Sequence, residues 1–302
     1  MDDPIAKFIP TFEHTTVLEK DGSRWKSVPP RRPITVRDAF RHTTGYAYKG
    51  QGVSAFENHY QRERLLYRPP LAMLPPAMTI REAADAMARI PAFHHPGERF
   101  TYGFNTDLLG RLVEVWSGQP LDEYMRQAVF EPLKMTDTGF IVPNDKVDRF
   151  ASCHGAGSDG PTIVDKAATS PFVDGFEFLS GGGGLISTID DYAKFCQMMV
   201  NGGHGGGKQI LRPESVETMF TNQLQDIPGE FRFGLGFAIA DVTLGRGKGQ
   251  RKAKQPFWAG YASTDFRLVP EENLFQIFIR QRVPSQHGLA NEQIDMIYSA
   301  IE

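Results

Sequence analysis

The residues of this sequence best placed to do chemistry lie in His95-Pro96-Gly97-Glu98-Arg99-Phe100-Thr101-Tyr102-Gly103-Phe104-Asn105-Thr106-Asp107-Leu108-Leu109-Gly110. A Pro-Gly turn there feeds a short extended run and then an amphipathic helix, which puts Tyr102 at a helix mouth. Backbone N–H groups and the positive end of the helix dipole favour a phenolate at such a place. A tyrosine there gives up its proton more readily than in water and can serve as a base. From this stretch alone, an ordinary half-buried tyrosine with a satisfied hydroxyl is the better reading.

The elements that must position Tyr102 are legible on both sides of it. Leu108, Leu109, Leu112, Val113 and Trp116 recur at helical spacing, Asn105 or Thr106 can cap that helix, and Gly118 supplies the stop. Thr35-Val36-Arg37-Asp38 is a capping box whose helix is expected to end at Gly45, with His42 in its last turn. A second box, Thr79-Ile80-Arg81-Glu82, opens a helix leading straight to the tyrosine stretch. Between them, Tyr46 to Pro76 reads as a long irregular excursion. Asp21-Gly22 marks a turn, followed by a polar surface loop through Pro33.

Further along, Gly181-Gly182-Gly183-Gly184 precedes a capped helix over Thr188 to Asp191, but no Gly-Lys-Ser/Thr follows, so it reads as a tight chain crossing and not as a phosphate cradle. Tyr192, Phe195, Cys196 and Met199 mark the buried face of that helix. Phe231 to Ala240, Phe257 to Leu268 and Leu274 to Arg280 read as antiparallel strands, the last two joined by Pro270-Glu271-Glu272-Asn273, before a closing helix with Ile294, Ile297, Tyr298 and Ile301. The basic stretch from Arg246 to Lys254 reads as a flexible, solvated connection. The fold class is therefore α+β, with a mainly helical region over about 34–200 and a sheet region with a C-terminal helix over about 201–302.

Composition narrows the partners. At 302 residues, 40% hydrophobic, 23% charged and net charge −3, the chain has material for a large core and no field to draw in nucleic acid. No apolar run approaches the roughly 20 residues that span a bilayer. Cys153 and Cys196 read as free thiols, the histidines never fall into a metal-ligand spacing, and no cofactor is implied. Met1-Asp2-Asp3-Pro4 carries no secretory signal, and the compartment stays open.

Arg41-His42-Thr43-Thr44-Gly45, the Tyr102 stretch, Glu131-Pro132-Leu133-Lys134-Met135-Thr136-Asp137-Thr138-Gly139-Phe140, Gly182-Gly183-Gly184-Leu185-Ile186-Ser187-Thr188 and Phe257-Trp258-Ala259-Gly260-Tyr261-Ala262-Ser263-Thr264 form one ordered pattern. It resembles the serine β-lactamase superfamily, and more narrowly the class C-related carboxylesterases called family VIII. The resemblance implies a β-lactamase/transpeptidase-like fold, an antiparallel sheet flanked by helices plus a mostly helical region, and a small-molecule ester or lactam substrate. It makes Tyr102 the base that helps deprotonate a serine, in acyl transfer through an acyl-enzyme released by water. Trp258-Ala259-Gly260 falls where β-lactamases carry Lys-Thr-Gly and the esterases Trp-Gly-Gly, so Trp258 lines the pocket and the Tyr261 N–H is the second oxyanion donor. Ala259 departs from the esterase glycine. Phe104 stands where the lactamases have asparagine, and Asn105 follows it. Phe104 and the apolar Trp258 favour esters over lactams.

No Gly-x-Ser-x-Gly occurs, which excludes the α/β-hydrolase route to esterase activity. The nucleophile motif Ser-x-x-Lys occurs once, at Ser23-Arg24-Trp25-Lys26, where Asp21-Gly22 and Pro29-Pro30 deny it a helix, so it reads as a decoy. The resemblance instead expects that motif on a helix ahead of Met1, so the sequence is expected to begin mid-domain. A mis-assigned start, a natural truncation and a binding-only relative without turnover all stay open, as do β-lactamase and D-amino-acid peptidase activity. Loss of that segment is expected to expose an apolar face around Phe275, Ile277 and Ile297 and to favour self-association.

Overall fold

Two capping boxes set the first helices. Thr35 accepts a hydrogen bond from the Asp38 N–H while the Asp38 carboxylate accepts from the Thr35 N–H, opening α1, Val36–Phe40. Thr79 and Glu82 do the same for α2, Ile80–Arg89. α3, Asn105–Ser117, stops at Gly118, whose φ of 70° is the left-handed conformation glycine adopts without strain. The computed structural model describes residues 1–48, 78–175, 177–286 and 288–301. Beyond Tyr48, the excursion expected through Pro76 lies outside the described residues.

The chain packs as two compact units, and the helix-rich stretch over 34–200 is shared between them. The first comprises Met1–Tyr124 with Gly175–Leu185 and Leu224–Glu230. Its core includes Ile5, Phe12, Met87, Ile90, Leu108 and Leu112, all buried. The polar loop expected after Asp21 is instead a hairpin, in which β1, Val17–Asp21, pairs antiparallel with β2, Arg24–Val28, around Gly22 at φ 61°. Its second strand is exposed from Arg24 to Ser27, so it carries none of the alternation that signals a half-buried strand. α1 also ends sooner than Gly45, at Phe40. The Thr43 hydroxyl turns back to donate to Asp38 Oδ1 at 2.9 Å, and His42 leaves the helix at φ 56°.

The second unit comprises Met125–Asp174, Ile186–Gln223 and Phe231–Glu302. After a small hairpin of β3, Cys153–Gly157, and β4, Gly160–Asp165, it forms a four-stranded antiparallel sheet. The sheet strands are β5, Ala238–Leu244, β6, Arg251–Ala259, β7, Asp265–Val269, and β8, Leu274–Phe278, in spatial order β8-β7-β6-β5. α4, Ile189–Val200, buries Cys196, Met198 and Met199 in a core with Phe237 and Leu268, against which Phe275 and Ile277 are partly buried. α5, Gly288–Ser299, sets Ile294 and Tyr298 with Leu244, Ala253 and Val269, and leaves Ile297 39% exposed.

The strand bounds differ from the aromatic runs: β5 begins later, at Ala238, and β6 earlier, at Arg251. Arg251–Lys254, expected in a solvated loop, are the first half of β6, paired with Asp241–Leu244. Lys252 and Lys254 are exposed while Ala253 and Gln255 are buried, a period of two hidden by the basic composition. The run from Phe257 to Leu268 is cut by a turn in which Gly260 N–H donates to Thr264 O at 2.8 Å. Among the described residues, no helix is long and apolar enough to cross a membrane.

Candidate active site

Tyr102 is placed by a segment laced to the chain beyond α1. Phe93 N–H donates to Gly45 O at 2.9 Å, Gly97 N–H to Thr43 O at 2.9 Å and Thr101 N–H to His42 O at 2.7 Å. A His94 Nε2 hydrogen bond with Thr101 Oγ1 at 2.8 Å holds the last residue before the tyrosine. Tyr102 is 37% exposed, with its ring 4.9 Å from His42 and 5.4 Å, edge-on, from Tyr48. Burial lowers His42 to about 3, so it faces the tyrosine as a neutral ring. Burial first, then the Asp107 charge and Tyr102, push the Tyr48 hydroxyl well up, keeping it protonated.

Phe104 and Asn105, expected in the substrate site, are both buried. Phe104 is 2% exposed and backs Tyr48 at 4.9 Å, while Asn105 is fully buried. Neither Asn105 nor Thr106 caps α3, because Phe104 occupies the cap position without a side-chain bond. The Asn105 amide is engaged elsewhere, accepting from Thr44 Oγ1 and donating to Thr101 O at 3.5 Å. It ties α3 to both strands of the lacing. The glycine run packs on the same helix mouth: a Cβ at Gly181 would lie 2.3 Å from Thr106 O, which only a glycine crossing permits.

Gly103 is as constrained, since a Cβ there would sit 2.1 Å from Tyr46 O and 2.5 Å from Ala47 Cα. Backbone cannot yield as a flexible side chain does. Gly103→Ala is expected to lower stability by about 1–3 kcal/mol and to displace Tyr102, read as a lower melting temperature with altered tyrosine fluorescence. An unchanged melting temperature would show that the 46–47 segment shifts freely.

In the second unit, Trp258 and Ala259 end β6, paired with Phe266 and Asp265. The Trp258 ring packs edge-on against Phe233 at 5.4 Å. Gly260 and Tyr261 follow in the turn. Ser263 holds that turn at φ 68°, its hydroxyl donating to Arg282 O at 2.7 Å and accepting from the Gln286 N–H at 3.0 Å. Tyr261 itself is 40% exposed. Tyr102, Phe104 and Asn105 belong to the first unit, and Trp258, Ala259, Gly260 and Tyr261 to the second.

Ser23 lies in the turn of the β1–β2 hairpin and Lys26 on its exposed second strand, 3.3 Å from Asp21. That motif has no helical geometry to bring the lysine to the serine. Tyr48 and Asp107 carry weaker signals in the sequence. The available signals were an aromatic pair directly after Gly45, and an acid in the first turn of an apolar helix.

The family model described as Beta-lactamase matches residues 1–295. The chain belongs to the beta-lactamase family. An uncharacterized protein of Mycobacterium tuberculosis is 30% identical to this family member over 93% of the chain and 71% of the relative. Lovastatin esterase of Penicillium rubens is 27% identical over 65% of the chain and 46% of its own length, so the chain spans under half of that enzyme. Simvastatin synthase from Aspergillus terreus shares the fold, with a TM-score of 0.75 and 21% identity over 98% of this chain and 76% of that one. The beta-lactamase/transpeptidase-like α+β fold follows from these likenesses, and the family's relatives include an esterase and acyltransferases.

Proposed function

We propose that this beta-lactamase-family chain belongs to a serine carboxylesterase that cleaves short-chain esters through an acyl-enzyme. The observation that carries the reading is Tyr102, half-exposed beside the first turn of α3 and walled by neutral His42 and protonated Tyr48. A hydroxyl so placed can exchange a proton with a serine nucleophile and its leaving group. Trp258 stands where a lysine would have favoured an anionic lactam, which supports an ester substrate. The lovastatin esterase likeness supports an ester substrate.

The test measures hydrolysis of short-chain p-nitrophenyl esters and of a chromogenic cephalosporin, by residues 1–302 and by the protein translated with its in-frame upstream sequence. Esters are expected to turn over faster than the cephalosporin. Ser23→Ala is expected to leave every rate unchanged, because Ser23 and Lys26 sit on an exposed hairpin. Faster cephalosporin turnover would favour a β-lactamase, and no turnover of either substrate by the extended protein would favour a binding-only relative. Ester hydrolysis abolished by Ser23→Ala in a folded chain would make Ser23 the nucleophile.

A further inference from the structure

A buried acid lies behind Tyr102 that the proposed reaction does not use. Asp107, in the first turn of α3, is 1% exposed. Its Oδ1 accepts from Ser180 Oγ at 2.6 Å and from the Gly182 N–H at 3.2 Å, while Oδ2 is buried and has no hydrogen-bond partner among the described residues. A Cβ built on Gly182 would lie 2.5 Å from the Tyr48 hydroxyl, 3.3 Å from Asp107 Oδ2 and 3.3 Å from Thr106 Oγ1. The carboxylate oxygen and the tyrosine hydroxyl therefore converge on one small volume over a glycine, and Tyr48 meets Tyr102 edge-on. We infer that Asp107 acts on Tyr102 through Tyr48: anchored by Ser180 and Gly182, its carboxylate shares the space over Gly182 with the Tyr48 hydroxyl and opposes a second negative charge on the paired phenols.

The electrostatics agree with the geometry. In a water-poor interior a carboxylate works against any neighbouring phenolate, and its own burial favours the neutral acid. Burial pushes Asp107 up to about 6, against the Ser180 hydroxyl and Gly182 N–H that favour the carboxylate, and the Asp107 charge adds to the burial that raises Tyr48. Among the described residues, the titratable groups toward this carboxylate are Tyr48, from the segment after α1, and Tyr102 beyond it. The glycine crossing brings only the neutral donors of Ser180 and Gly182, and His42, against the Tyr102 ring, is uncharged.

The inference rests on Tyr102 being the base, yet it can be tested without turnover. Tyrosine ionisation is followed by ultraviolet difference titration in the wild-type chain and in Asp107→Asn, with Tyr48→Phe and Tyr102→Phe assigning the signals. Removing the charge is expected to raise the acid dissociation constant of the Tyr102 phenol about tenfold. An unshifted titration in a folded variant overturns the inference. Should Asp107→Asn fail to fold, wild-type protein carrying ¹³C-labelled tyrosine rings is followed by NMR instead. The Tyr48 signal should then move with an inflection near pH 6, where Asp107 ionises, and a flat signal overturns the inference. A shifted phenol titration together with full ester hydrolysis by Tyr102→Phe would uphold the Asp107 link and defeat the base assignment. An unshifted titration with a crippled Tyr102→Phe would do the reverse.

Discussion

Tyr102→Phe, made in the protein translated with its in-frame upstream sequence, is expected to lower kcat for ester hydrolysis by about 10²–10⁴-fold, the usual worth of a positioned general base or acid. The substitution removes one oxygen and keeps the ring that stands 4.9 Å from His42 and 5.4 Å from Tyr48. Because that ring is 37% exposed, stability should change by no more than about 0.5 kcal/mol, so a fall in rate would report chemistry and not unfolding. KM should hold nearly constant, since the hydroxyl is asked to move a proton and not to grip the acyl chain. A loss below tenfold, at unchanged melting temperature, would return Tyr102 to the ordinary role of a packing tyrosine.

How much of this was legible in advance follows from how local each signal is. The boxes at Thr35–Asp38 and Thr79–Glu82 and the stop at Gly118 depend on neighbours within one turn, and each appears where the sequence puts it. Asn105 shows the limit. Its residue type suits a helix cap, but Thr44, 61 positions away, takes its amide, and tertiary contact overrides the local preference. β6 was obscured for a different reason: alternating lysine with alanine looks like a solvated loop until the sheet supplies a face for Ala253 and Gln255. Asp107 was invisible as a buried acid because the groups that take its carboxylate, Ser180 and Gly182, lie more than 70 residues on.

Asp38→Ala is expected to be the most destabilising single change in the first unit, by about 3–5 kcal/mol, because it strips the partner from buried cationic and polar groups at once. Asp38 is fully buried and accepts from the Thr35 N–H at 2.9 Å, Thr35 Oγ1 at 2.8 Å, Thr43 Oγ1 at 2.9 Å and both terminal nitrogens of Arg32. Arg41, itself 7% exposed at its side chain, lies 3.5 Å away and would lose this buried counter-charge, while its contact to Asp226 is to an exposed carboxylate. Thr43 is also where the Tyr102 segment is laced down, through the Gly97 N–H. The loss should therefore reach the site and lower kcat together with the denaturant midpoint. Asp38→Asn, which keeps one acceptor oxygen for the helix cap, should cost less. The pH dependence has a definite sign. Burial alone would raise this carboxyl, but the Arg32 and Thr35 hydrogen bonds outweigh it and hold the group below its ordinary 3.8. A depressed acid gives its stability in full above that ordinary value and loses it as pH falls through the folded one. Wild type and Asp38→Ala should accordingly differ most near neutrality and converge below about pH 4, followed by chemical denaturation at each pH. A gap under about 1 kcal/mol at neutral pH, or one that widens in acid, would remove Asp38 as the anchor of the Tyr102 segment.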